Sequence, residues 1–143
     1  MNMDCCDEET IEVLYNARYG GYGLSEKAEK MYEERSGRKA DCLDCRHSPL
    51  LLQIFHELGD EFNSKYCYAE IEKIPKKFEN FYVIDEYDGL EEVIIDYHTY
   101  ELTNTILHST MNDNEKINKL KEIVSRRKVS VLRQYRSYGK MFY

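Results

Sequence analysis

Residues 18–25 read Arg18-Tyr19-Gly20-Gly21-Tyr22-Gly23-Leu24-Ser25, glycines and tyrosines interleaved beside a guanidinium. A glycine-rich turn that feeds a helix exposes backbone amides, and those amides with the helix dipole can hold a carboxylate or a phosphate. Arg18, Tyr19, Gly20, Gly21, Tyr22, Gly23 and Ser25, together with Arg46, are therefore the candidate ligand-binding residues. Two nucleotide motifs are excluded. A P-loop needs Lys and then Ser or Thr after its last glycine, whereas Gly23 is followed by Leu24 and Ser25. The dinucleotide fingerprint needs a third glycine at its fixed spacing, and that glycine is missing. The plainer role for the stretch is a turn: glycines supply positive φ and close backbone approach while the tyrosines pack. That role is the preferred one.

His47, Asp88 and His98 form a second constellation, with Asp85 and Glu86 nearby in sequence. Imidazole titrates near neutrality, and a histidine with a carboxylate is the minimal kit for general acid–base catalysis. These three are the catalytic candidates, but neither H-E-x-x-H nor G-x-S-x-G is present to support them. His47 can equally order the start of the helix that follows it, and the acidic groups can simply solvate a turn. Cys42-Leu43-Asp44-Cys45 is a C-x-x-C pair, with Cys5-Cys6 elsewhere. Four thiolates, or three with His47, could bind zinc tetrahedrally. Adjacent cysteines do not readily face one metal, and a second C-x-x-C is missing, so free thiols are the expectation at Cys42 and Cys45. No cofactor is expected.

These residues need elements to hold them. Residues 11–15 read as a short strand. Ser25 is an N-cap, Glu26 and Glu29 suit a first turn, and Gly37 is a stop, which predicts a helix over 25–36. Ser48-Pro49 reads as N-cap and first helical position, and Leu51, Ile54, Phe55, Leu58 and Phe62 recur at helical spacing, which predicts a helix over 49–62. Strands are predicted at 66–74, 81–87 and 90–96. Asp88-Gly89 is the two-residue type I′ turn joining the last two. Residues 90–97 also fit helical spacing, but the turn and the β-branched run favour the hairpin. Residues 99–109 are ambiguous, with a helix as one reading. A long basic helix is predicted over 115–135, followed by a loose tail. The whole reads as one α+β domain: a small antiparallel sheet, a meander or hairpin, covered by helices, with the basic helix packed outside.

Charge divides the chain. The net charge is -7, yet from residue 115 onward nine basic side chains face two acidic ones. The division is an acidic core over 1–114 and a basic helix and tail over 115–143, in the same domain or as a dimer arm. The longest apolar run is Leu50-Leu51-Leu52, far short of the roughly 20 residues that span a bilayer. The acidic first residues lack the apolar core of a secretory signal. An intracellular protein with reduced thiols and no membrane contact is expected.

Five stretches carry a resemblance: Arg18–Ser25, the Arg46-His47-Ser48-Pro49 tetrad, the predicted strand ending in Glu70-Ile71-Glu72-Lys73-Ile74-Pro75, Asp85-Glu86-Tyr87-Asp88-Gly89-Leu90-Glu91, and His98-Thr99-Tyr100. Together they resemble a family of short uncharacterised proteins from large DNA viruses and phages, over about residues 14–100. That family's pattern is roughly Y-G-G-[FY]-G-[LF]-S, R-H-[DS]-P, E-Y-D-G and H-R-[ST]-W. Thr99 and Tyr100 depart from it, so a role carried by the family's arginine is not carried over. The resemblance implies a viral protein of the host cytoplasm, a viral factory or the virion, and implies no activity.

The basic end is the last candidate site. Arg126, Arg127, Lys128, Arg133 and Arg136, with Tyr135 and Tyr138 among them, could grip phosphates and stack bases. An acidic body disfavours nucleic acid and favours docking of this element on a second copy. The leading expectation is a non-enzymatic, self-associating interaction module, a homodimer or a binder of a viral or host protein. A nucleic-acid-associated protein is the first alternative. A small enzyme or ligand-binding protein built on the glycine–tyrosine loop, His47 and His98 is the second.

Overall fold

The computed structural model describes residues 8–40 and 46–125. The chain divides after Asp96 into two compact units, and each is described by itself.

The first unit begins with β1 (Thr10–Asn16) and α1 (Glu26–Ser36). Ser25 caps α1 as its spacing implies: its Oγ accepts from Ala28 N at 3.1 Å. Gly37 closes the helix in the left-handed region at φ 72 and returns its amide to Glu33 O, the conformation glycine adopts without a Cβ penalty. The next helix, α2 (Pro49–Leu58), starts on the predicted cap, Ser48, and proline. At Gly59 it tightens into a 3-10 turn through Phe62, so the helix foreseen over 49–62 is two segments. Gly59 has φ 57 and ψ -126, a conformation that α-helix cannot continue through.

The sheet differs from the expected one. Strand β2 (Ala69–Pro75) pairs with β1, antiparallel and in unbroken register from Thr10 opposite Pro75 to Asn16 opposite Ala69. Strands β3 (Tyr82–Tyr87) and β4 (Leu90–Ile95) form a separate hairpin. The three-stranded meander over 66–74, 81–87 and 90–96 is therefore replaced by two two-stranded sheets. Pro75 ends β2, and a 3-10 turn over Lys76–Phe78 buries Phe78, which turns the chain away before a β2–β3 hairpin can close. The Asp88-Gly89 turn is as read: φ is 51 and 85 at the two residues, the paired positive values of a type I′ turn. The α+β class stands.

Val13 and Leu14 point to opposite faces of β1, as successive strand residues must, and both are fully buried. Helices α1 and α2 cover the Leu14 face, where Leu14, Ala28, Tyr32, Leu51, Ile54 and Phe62 pack together. Phe55 stands edge-on to Phe62 with ring centroids 5.2 Å apart, a favoured aromatic geometry.

The second unit holds α3 (Tyr97–Leu107), which settles the ambiguous stretch as helix, and α4, described over residues 113–125. Asn112 caps α4 by accepting Glu115 N at Oδ1, 2.9 Å. A helix thus occupies 113–125, at the start of the predicted basic helix over 115–135; residues 126–135, which carry most of the predicted basic character, and the tail lie outside the described residues. No described helix is long and apolar enough to cross a membrane.

Candidate functional site

The glycine–tyrosine loop, Arg46 and the Asp88-Gly89 turn meet at the end of β1. Asn16, the last residue of that strand, is fully buried and organises the junction. Its backbone amide donates to Glu91 Oε1 at 2.8 Å. Its side-chain Nδ2 donates to Arg18 O and to Gly89 O, both at 2.7 Å. Its Oδ1 accepts Tyr68 N at 2.8 Å. Every hydrogen-bonding group of the carboxamide is engaged, which is what allows it to be buried without cost.

Arg46 lies beside it. The guanidinium makes a bidentate pair with Glu91, Nη1 to Oε1 at 2.8 Å and Nη2 to Oε2 at 2.9 Å. Both side chains are at least nine-tenths buried. Nη1 also reaches Leu14 O at 3.3 Å, while Leu14 N donates to Arg46 O at 2.8 Å. The guanidinium carbon sits 3.6 Å from the centre of the Tyr22 ring, a cation–π contact shielded from water. Burial pushes the guanidinium down, but the hydrogen bonds and charge of Glu91 more than offset this and hold it above its ordinary value. The Tyr22 phenol is pushed up, by burial first, with Arg46 pulling the other way. Burial likewise pushes the Cys67 thiol up, against a backbone hydrogen bond at Gly23. The site sets the Arg46–Glu91 ion pair beside a phenol and a thiol that burial makes harder to ionise, with no poised nucleophile among them.

The glycines act by close approach. Gly20 N donates to Asp88 O at 3.1 Å. A Cβ on Gly89 would overlap the Gly20 carbonyl carbon and the Gly21 nitrogen. A Cβ on Gly20 would stand 2.5 Å from Tyr66 O, and one on Gly23 would stand 2.7 Å from Ser64 Oγ. The loop is therefore clamped between the hairpin tip and residues 64–66. The Gly20 amide, a candidate anion donor, is already committed to the turn. Ser25 Oγ is committed too, accepting from Ala28 N and donating to Glu61 O.

Among the described residues of the first unit, the other candidates are not spent on this junction through their side chains. Arg18 and Tyr19 are exposed, and Gly21 opens to free space. Asp88 is exposed at the hairpin tip, where its backbone, not its carboxylate, bonds the loop. His47 Nδ1 shares a 2.5 Å hydrogen bond with the Tyr82 hydroxyl, the two rings standing edge to face. His98 belongs to α3, in the second unit, and is exposed. Cys42 and Cys45 lie outside the described residues, as do Arg126, Arg127, Lys128, Arg133 and Arg136. Sequence reasoning missed Asn16 and Glu91, the two residues on which the junction depends. The available signals were an asparagine closing an apolar strand and a glutamate directly after the hairpin's first apolar residue. No family model, curated protein or solved structure matches the chain, and its function is read from this geometry alone.

Proposed function

We propose that the protein is a non-enzymatic interaction module that associates with itself through its basic C-terminal element. The observation that supports this reading is the outer face of α4. Ile117 and Val124 are about half exposed there, 48% and 53%. With Leu120, Lys121 and Ser125 they line an open groove of about 420 Å³. The described part of α4 balances Lys116, Lys119 and Lys121 against Asp113, Glu115 and Glu122, and the basic excess of this end follows it in sequence, from Arg126 to Lys140. An apolar stripe at i, i+3 and i+7 leading into such a run suits a surface that is apolar at its centre and acidic at its rim. The chain itself supplies such a surface: through Asp96 it carries 23 acidic side chains against 11 basic ones, a net -12. From Tyr97 to the end it carries nine basic against four acidic, a net +5. A second copy is the occupant with matching charge, and closed two-fold association is the commonest outcome for such self-complementarity.

The polar junction supports the same reading from the other side. Arg46, the Gly20 amide and His47 are each spent on an internal partner. Size-exclusion chromatography with light scattering tests the proposal. The full chain is expected at twice its monomer mass. Ile117→Asp with Val124→Asp is expected to raise the dissociation constant at least about a hundredfold, the equivalent of ~2.7 kcal/mol. A monomer at all concentrations, or an unchanged dimer in the double variant, defeats the reading.

A further inference from the structure

The two edges of the β1–β2 ribbon are covered to different extents. The register runs without a bulge through all of both strands. The ladder continues past each end, with Ala17 N donating to Tyr68 O and Lys76 N to Glu9 O, both at 2.8 Å. In an antiparallel pair the amide and carbonyl of one residue point to the same side, and successive residues alternate. Glu70, Glu72 and Ile74 therefore turn theirs toward β1, while Ala69, Ile71 and Lys73 turn theirs outward. On the far edge of β1 the covering reaches Leu14, through the backbone and guanidinium of Arg46, and the Asn16 amide, through Glu91. On the β2 edge, Asn63 Oδ1 takes the Ala69 amide at 2.8 Å, and the covering stops there. Among the described residues, no recorded hydrogen bond reaches the outward groups of Ile71 and Lys73.

A groove of about 360 Å³ runs beside this edge, between the end of α2 and β2. Phe55, Tyr68 and Ile71 give it apolar surface, and Tyr68 is 47% exposed. Asp60 and Glu70 are the charged residues of its described lining, and no cation is among them. The unit around it carries the net -12 counted above. Exposed Lys73 and the terminal Pro75 close the edge after a short run, a device that blocks sheet stacking but leaves room for a short peptide.

We infer that the open edge of β2 accepts an extended cationic peptide from a partner protein as an added third strand, its backbone pairing with Ile71 and Lys73. The aliphatic side chains of that peptide fill the groove against Phe55 and Tyr68, and its lysine or arginine side chains meet Asp60 and Glu70. Main-chain pairing supplies affinity, and the groove selects alternate side chains. This surface is separate from α4 and does not depend on self-association.

The test uses the full chain and a fluorescein-labelled (Lys-Val)4 peptide, read by anisotropy. Two further peptides carry N-methyl groups on all lysine or on all valine amides, which removes donors from one side of the strand without changing charge. The parent peptide is expected to bind saturably, and at least one methylated form is expected to bind about tenfold more weakly or worse, the loss of roughly one net hydrogen bond. Lys73→Pro deletes an outward amide while sparing the ladder to β1, and it is expected to weaken the parent peptide by a similar factor. Lys73→Ala is expected not to weaken it. The proposal is overturned if the parent peptide does not saturate, or if neither methylated form is weakened, since attraction between opposite charges alone would then explain the binding. It is also overturned if the peptide binds only by lowering a concentration-dependent mass in light scattering, which would assign the edge to a second copy of the chain.

Discussion

Tyr22 joins three effects in one side chain: a ring face spent on Arg46, a buried phenol, and a hydroxyl with no hydrogen-bond partner among the described residues. A buried hydroxyl without a partner costs about 1–3 kcal/mol. Tyr22→Phe keeps the ring and removes that cost, so at neutral pH it is expected to raise stability by about 1 kcal/mol, read by urea titration; a loss of that size would show that the hydroxyl has a partner. The alkaline limb follows from the same burial. A phenol harder to ionise in the folded state contributes stability in full below the ordinary value of 10.0, and that contribution drains away as pH rises above it. Tyr22→Phe is therefore expected to flatten the fall in stability above pH 10.0, leaving the part due to Cys67, which begins near its own ordinary value of 9.0. The Arg46–Glu91 pair calls for a different experiment, because removing one buried partner strands the other charge. Glu91→Gln or Arg46→Met alone is expected to cost about 3–5 kcal/mol, while Arg46→Met with Glu91→Leu recovers part of it. The additional loss to be expected there is the Asn16 amide, which also relies on Glu91. A double variant no better than the worse single one would contradict the charge argument. None of this was legible beforehand, because a buried Asn or Glu has the same letter as a solvated one and its partners lie up to 75 positions away.

Elements were read well wherever their signal is local. Ser25, Gly37, Ser48, Pro49 and Asp88-Gly89 each fix the backbone within a few residues, through a cap, a ring or a positive φ, and each acts as the sequence implied. The β1–β2 pairing was missed because it joins residues more than fifty positions apart, and strand pairing at that range leaves no periodicity in either strand. The glycine loop was legible as a turn, but its clamp on the hairpin tip was not, because close approach is a property of two segments. That clamp can be separated from ordinary glycine strain. Gly37 and Gly89 both have positive φ, 72 and 85, but a Cβ at Gly37 meets nothing within 4 Å, whereas one at Gly89 would overlap the loop backbone. Gly37→Ala is expected to cost about 1–2 kcal/mol, the left-handed penalty alone. Gly89→Ala is expected to cost at least about twice that, because Gly20 and Gly21 must also move. Equal losses in thermal melts of the two variants would mean that the tip and the loop are not held together.

For the whole molecule the governing fact is the opposition of a -12 unit and a +5 unit in one chain. In the proposed two-fold dimer the basic end of each copy meets the acidic unit of the other, and steering of this type acts at range and fades with salt. The Debye length falls from about 10 Å at 0.1 M to about 3 Å at 1 M. Apolar contact behaves oppositely, being insensitive to salt or slightly strengthened by it. The proposed interface uses both at the C-terminal end: Lys116, Lys119 and Lys121 carry positive charge beside Asp113, Glu115 and Glu122, and Ile117, Leu120 and Val124 carry the stripe. The two contributions are therefore separable by substitution. Neutralising Lys119 and Lys121 to Ser is expected to weaken dimerisation modestly at low salt and to flatten its salt dependence, since rim charges act mainly on association rate. Ile117→Asp with Val124→Asp is expected to abolish dimerisation at every salt concentration, because the apolar centre of an interface supplies most of its energy. Sedimentation velocity across a salt series reads both variants together. If the lysine variant loses dimerisation entirely while the aspartate variant keeps it, the association is electrostatic and α4 is a charged arm without an apolar seat.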